Sequence, residues 1–168
     1  MKTVLKLSSL AAVVTADSCA STDPLHPPDL PVPLQPPVSE VMHYRTHATG
    51  VQVYECAPAG NGFAWTFKAP EAELFGPDGR RMGRHYGGPT WHADDGSLVQ
   101  GTGKSRAEAP GGHAIPWLQL VSRGNGGHGV FSAPSTLLRV DTVGGTPPAS
   151  PCADGERGRV ARVRYTAT

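Results

Sequence analysis

The chain has 168 residues, the size of one domain with a single core, and 15 basic residues against 14 acidic ones give it a formal charge of +1. That balance removes the electrostatic reason to expect nucleic acid or an anionic membrane surface as partner. With 21 glycines and 17 prolines, long helices are disfavoured and a chain broken by many turns is expected.

Lys2 and Lys6 precede "LSSLAAVVTA", a largely apolar stretch from Leu7 to Ala16. Crossing a bilayer takes about 20 residues, so this stretch is too short to span and suits the h-region of an export signal. Residues 1–19 are assigned to that signal. Two endings stay open: cleavage after Val14-Thr15-Ala16, or lipidation of Cys19 in "ADSCAST", which is the one membrane attachment the sequence offers. Seven prolines follow between Pro24 and Pro37. Proline fixes φ and removes a donor, so residues 20–42 read as an extended linker. Leu25, Leu30 and Leu34 are placed to pack back on the domain, which spans 43–168. With Cys19 set aside, Cys56 and Cys152 form an even pair, and in an exported chain that pair reads as one disulfide. The expected location is extracytoplasmic: periplasm, cell surface or medium.

Beyond the linker the apolar residues alternate with period two. "VQVYEC" (51–56) sets Gln52, Tyr54 and Cys56 on one face; "FAWTFK" (63–68) sets out Phe63, Trp65 and Phe67; "EAELF" (71–75) leads through "GPDG" to "MGRHY". "TWHA" and "SLVQG" flank "DDG", where Asp95-Gly96 predicts a two-residue hairpin turn. "IPWLQLVS" (115–122), "TLLRVDT" (136–142) and "RVARVRYTA" (159–167) complete the set, the last with Ala161, Val163 and Tyr165 opposite Arg162 and Arg164. Short strands with these turns predict an all-β fold, a small sandwich or barrel of antiparallel strands with little or no helix. The final letters, "RYTAT", stop mid-strand, which at a sheet edge is a pairing liability.

Two apparent phosphate motifs fail on context. "GTGKS" (101–105) needs glycine at the position held by Leu98, and "GNGGHG" (124–129) is followed by "VFSAPS" rather than a helix. His113 and His128 fall in glycine-rich loops. His85 and His92 flank "YGGPTW", and with Asp94 they are the candidate ligands of a divalent metal, although they lack HxH or HxxxH spacing. Ser97, Ser122 and Ser132 lack the surroundings of a nucleophile elbow. Trp65, Trp91 and Trp117 are core-type residues that would stack on a sugar if exposed, Trp91 doing so beside Tyr86.

The ordered set "TGVQVYEC", "GPTWHADDGSLVQG", "IPWLQL", "VDTVGGTPPASPC" and "VRYTA" resembles the bacterial and fungal domain-of-unknown-function family 3455, from about Thr49 to the end. The resemblance implies a secreted β-rich domain in which Cys56 and Cys152 are the recurring pair. Members continue past the last strand into an aromatic-rich ending, so a shortened C-terminus is expected here. No established activity comes with it. The combined expectation is a non-enzymatic binding or envelope domain holding a small molecule or glycan near Trp91, His92, His85 and Tyr86, with no cofactor. The alternatives are a metal-dependent enzyme on His85, His92 and Asp94, and a purely structural envelope protein.

Overall fold

The computed structural model describes residues 29–168; the expected signal segment, Cys19 and the first part of the proline-rich stretch, Leu25 included, lie outside the described residues. The strands are β1 (His47–Ala59), β2 (Gly62–Phe75), β3 (Arg81–Tyr86), β4 (Thr90–Ala93), β5 (Leu98–Ala107), β6 (Trp117–Gly126), β7 (Thr136–Arg139), β8 (Val143–Gly144) and β9 (Val160–Ala167). The fold is all-β, as its alternation predicts. All nine strands form one sheet, in the order β7-β6-β5-β4-β3-β2-β1-β9-β8, with every neighbouring pair antiparallel. The runs 63–68 and 71–75 are one strand, β2, which carries Pro70 in its interior. Proline is tolerated there because the β3 ladder reaches only from Ala72 to Phe75, so on that side Pro70 has no pairing partner. On the β1 side the register shifts close by, between Val53 and Tyr54.

The sheet cannot be flat. Its end strands, β7 and β8, are joined by only Val140, Asp141 and Thr142. Nine strands laid flat would separate those ends by about 38 Å, whereas the link reaches about 14 Å at most. The sheet therefore rolls up. It does not close into a barrel by a continuous ladder, but its ends are tied: Val140 and Thr168 exchange both backbone hydrogen bonds, at 2.8 and 2.9 Å. Asp141, at φ 50°, makes the sharp step between them. Thr142 Oγ1 donates to Ile115 O at 2.6 Å, and Ile115 N donates to Gly144 O at 2.9 Å.

Rolling makes one face an interior. Ala48, Ala72, Leu74, Ala93, Val99, Ile115, Phe131, Tyr165 and Ala167 meet there. The alternation along "VARVRYTA" emerges as expected, with Tyr165 and Ala167 buried and Arg162 and Arg164 exposed. A second cluster joins Leu34, Ala109, Trp117 and Val140, with Leu30 against it. The described part of the proline-rich stretch is thus docked on the domain, and burial of Leu34 contributes about 1.5–3 kcal/mol. Ser105 Oγ donates to Pro33 O beside it. Gln119, a polar residue on the most apolar strand, is buried because its amide is used: Nε2 donates to Gln35 O, and Oε1 lies 3.1 Å from Ser105 Oγ, sharing that single hydroxyl proton with Pro33 O. The last strand is not a bare edge. β9 pairs with β1 from Ala48 to Glu55 and with β8 at Tyr165 and Thr166.

The far end of the β1–β2 hairpin is covered by the segment between β8 and β9. Cys56 and Cys152 are disulfide-bonded across 96 residues, with Cα atoms 5.9 Å apart. Trp65 Nε1 donates to Ser150 O at 2.9 Å, and Cys56 exchanges backbone bonds with Gly158 and Arg159. Such a crosslink persists in oxidising compartments. Replacing both cysteines by alanine should lower unfolding stability by about 2–5 kcal/mol, read as a shift in urea midpoint; an unchanged midpoint would show that the backbone bonds alone hold this segment.

Candidate functional site

The sequence-nominated residues lie on the β3–β4 hairpin, whose register pairs Tyr86 with Thr90, His85 with Trp91 and Arg84 with His92. Side chains alternate across a sheet, so direct partners share a face and immediate neighbours do not. His85 and Trp91 point into the roll. Their rings stack with centroids 4.2 Å apart and planes 17° off parallel. His85 is buried, and its Nδ1 lies 2.9 Å from Thr90 O, within the same hairpin. Burial pushes its pKa down to about 4; the Thr90 bond works against that shift, and the positive charge of Arg139 reinforces it.

Arg84, Tyr86 and His92 stand on the outer face. The Arg84 guanidinium lies 5.3 Å from the Tyr86 ring centroid, a cation–π arrangement, and the Tyr86 and His92 rings meet edge-on at 6.5 Å. His92 Nδ1 is buried without a hydrogen-bond partner. The four candidate residues are therefore brought to one hairpin but divided between two faces. A sugar platform of Trp91 beside Tyr86 does not form.

The proposed metal set does not converge. His85 and His92 occupy positions of opposite parity and point to opposite sides of the sheet. The carboxylate of Asp94 is engaged by Arg81, 2.5 Å away, which also bonds Glu73 at 3.1 Å. Among the described residues no group of three or more His, Cys, Asp or Glu side chains is arranged to hold a metal ion. His113 and His128 are exposed.

The "DDG" turn is wider than expected. Ala93 N donates to Ser97 O, Gly96 N donates to Ala93 O, and only Gly96 takes positive φ, at 87°. This is a three-residue loop with glycine in the left-handed position. Asp95 is left free to use its side chain: Oδ1 accepts from Ser97 N at 2.8 Å and Ser97 Oγ at 2.6 Å, and Oδ2 accepts from Val130 N at 3.0 Å. Those bonds, led by the Ser97 hydroxyl, hold the Asp95 carboxyl below the usual carboxylate range. Two glycines of "GNGGHG" follow from the same close approach: a Cβ on Gly129 would run into the Asp95 carboxylate, and one on Gly127 into the Gly96 carbonyl. At Gly127 and Gly129 the loop is pressed onto this turn.

An open groove of about 630 Å³ crosses the outer face from β9 to β3, lined by Val51, Glu71, Glu73, Arg84, Tyr86 and Arg162. Arg162 grips Glu71 with both Nη atoms. A smaller hollow of about 300 Å³ adjoins it between Arg81, Arg84, His92 and Asp94. Arg84 belongs to both hollows, and the sequence reading missed it. Its signal was there: it shares a face with Tyr86, two residues along the same strand.

A neutral buried His85 makes stability pH-dependent. The unfolded chain takes up this proton near pH 6.5, while the folded one resists until about pH 4. The stability it contributes is complete above pH 6.5 and is lost as pH falls through about pH 4, a loss of about 3 kcal/mol. His85→Phe should remove that component, seen as a shallower fall in urea-derived stability from pH 7 to pH 4; parallel profiles for the two proteins would refute it.

Residues 37–168 match the family described as "Protein of unknown function (DUF3455)". No curated protein and no solved structure matches the chain. The matched span contains the whole rolled sheet, the Cys56–Cys152 bridge and both faces of the β3–β4 hairpin. The chain belongs to the DUF3455 family of proteins of unknown function.

Proposed function

We propose that this is an exported, non-enzymatic binding domain whose ligand is a small polar molecule or glycan, held on the outer shelf of Arg84, Tyr86 and His92. The observation that carries the reading is the ordering of that shelf: a guanidinium over an aromatic ring, an imidazole at its edge and an open groove beside them. Aromatic faces take sugar rings and guanidinium groups take hydroxyls or carboxylates, so the shelf offers both kinds of contact. His85 and Trp91 back it from inside and fix its register.

Export is supported by the basic and then apolar start of the chain and by a disulfide of the kind that oxidising compartments preserve. Cleavage of the signal leaves a free domain, whereas lipidation of Cys19 tethers it to a membrane. The binding reading is favoured over a metal-dependent enzyme because the most perturbed histidine, His85, is consumed by packing and faces away from His92.

Thermal denaturation with a panel of neutral and acidic oligosaccharides, with zinc and copper, and with EDTA tests the proposal. A ligand at a hundred times its dissociation constant adds about 2.7 kcal/mol, or about 5–10 °C for a chain of this size. The expected result is such a rise with at least one oligosaccharide, indifferent to EDTA and abolished by Arg84→Ala and Tyr86→Ala. A rise with metal alone, reversed by EDTA, would favour the enzyme reading, and a flat panel would leave a structural envelope protein.

A further inference from the structure

We propose that the interior of the rolled sheet holds a second binding site, for a small carboxylate anion, formed by Arg139, Gln52 and Tyr165. Arg139 ends β7, the strand at the seam, and its side chain runs inward. Nη2 donates to Pro116 O at 2.7 Å, but Nε is buried with no acceptor. No carboxylate among the described residues pairs with this guanidinium. Gln52 is 2 % exposed and Tyr165 3 % exposed; the two side chains lie against each other, the Gln52 amide donating toward the Tyr165 hydroxyl, but neither Gln52 Nε2 nor Tyr165 Oη has a partner in full hydrogen-bond geometry.

These groups share one neighbourhood. A Cβ built on Gly145 would lie 2.9 Å from Tyr165 Cβ, 3.1 Å from Gln52 Cγ and 3.1 Å from Ile115 Cγ2. Tyr54 Oη fixes the Gly145 backbone by donating to its carbonyl at 2.6 Å. The charge of Arg139 is felt by Tyr54 on β1, Tyr165 on β9 and His85 on β3. Burial nevertheless dominates at Tyr165, pushing its hydroxyl up to about 12, so it stays protonated and able to donate.

The donors have one kind of complement. A buried polar atom without a partner is costly, and a charged one more so. Water would satisfy the amide and the hydroxyl but would leave the positive charge of Arg139 unbalanced. A carboxylate is acceptor-only, offers several lone pairs and carries the compensating charge. The apolar side chain of Ile115, beside Gln52 and Tyr165 at Gly145, favours a compact organic acid over a strongly hydrated inorganic ion. The donors come from strands far apart in sequence, so only the rolled structure assembles them.

The test is a titration of the isotopically labelled full chain with sodium acetate at pH 7, against sodium chloride at equal ionic strength. The readouts are the Arg139 Nε–H resonance, assigned by its loss in Arg139→Lys, and the melting temperature. The expected result is a saturable shift of that resonance and a rise in melting temperature with acetate alone. Tyr165→Phe and Gln52→Leu, which keep the packing shape, should each weaken acetate binding about tenfold or more. Equal responses to acetate and chloride, non-saturating responses, or unchanged acetate affinity in both variants would overturn the proposal.

Discussion

The short Val140–Thr142 connection ties β7 to β8, the two ends of a nine-stranded sheet, and so forbids a flat structure. Everything inward-facing follows from that constraint. The Val140–Thr168 bond pair and the Thr142–Ile115–Gly144 bonds fix the seam where the ends meet. A sheet open on both faces would leave Leu74, Val99, Ile115 and Tyr165 in water; rolled, it buries them against one another. The polar seam bonds thus set the geometry, while the apolar interior supplies most of the driving force.

The same rolling separates two chemistries that a single hairpin carries side by side. Inward, His85 and Trp91 stack in an apolar setting where an imidazole keeps its proton off. Outward, Arg84, Tyr86 and His92 face solvent along a groove whose rims are ion-paired. Exposed ion pairs of this kind add little stability, so their chief effect is to hold side chains in place. The shelf owes its order to the packing behind it: residues that touch no ligand set the register of residues that would.

Much of this architecture was legible locally. Period-two alternation placed Gln52, Tyr54 and Cys56 on one face and Tyr165 opposite Arg164, and the burial follows it except at Val53, which is buried where the β1–β2 register shifts. Leu34 could be seen as a residue able to dock, and the cysteine pair as a bridge. What could not be read depends on two strands at once. Whether His85 and His92 converge is decided by the β3–β4 register, and the loop "YGGPT" does not announce that register. Merging two runs into β2 across Pro70 depends on where β3 stops pairing. Arg139 resembles any charged residue at a strand end until the seam turns its strand toward Tyr54 and Tyr165. The glycines on either side of His128 are explained only by the turn around Asp95 and Gly96, which lies about thirty residues earlier in the chain: Gly127 meets the Gly96 carbonyl and Gly129 the Asp95 carboxylate.

The central claim is that the sheet is held rolled at the Val140–Thr168 seam, and native-state amide hydrogen exchange tests it most directly. If the seam is part of the cooperative fold, the amides of Val140 and Thr168 exchange only through global unfolding, with protection comparable to Gln52 in the middle of β1. Exchange of both at rates near those of an unstructured peptide, while β1 and β2 remain protected, would contradict the rolled sheet and the interior built on it.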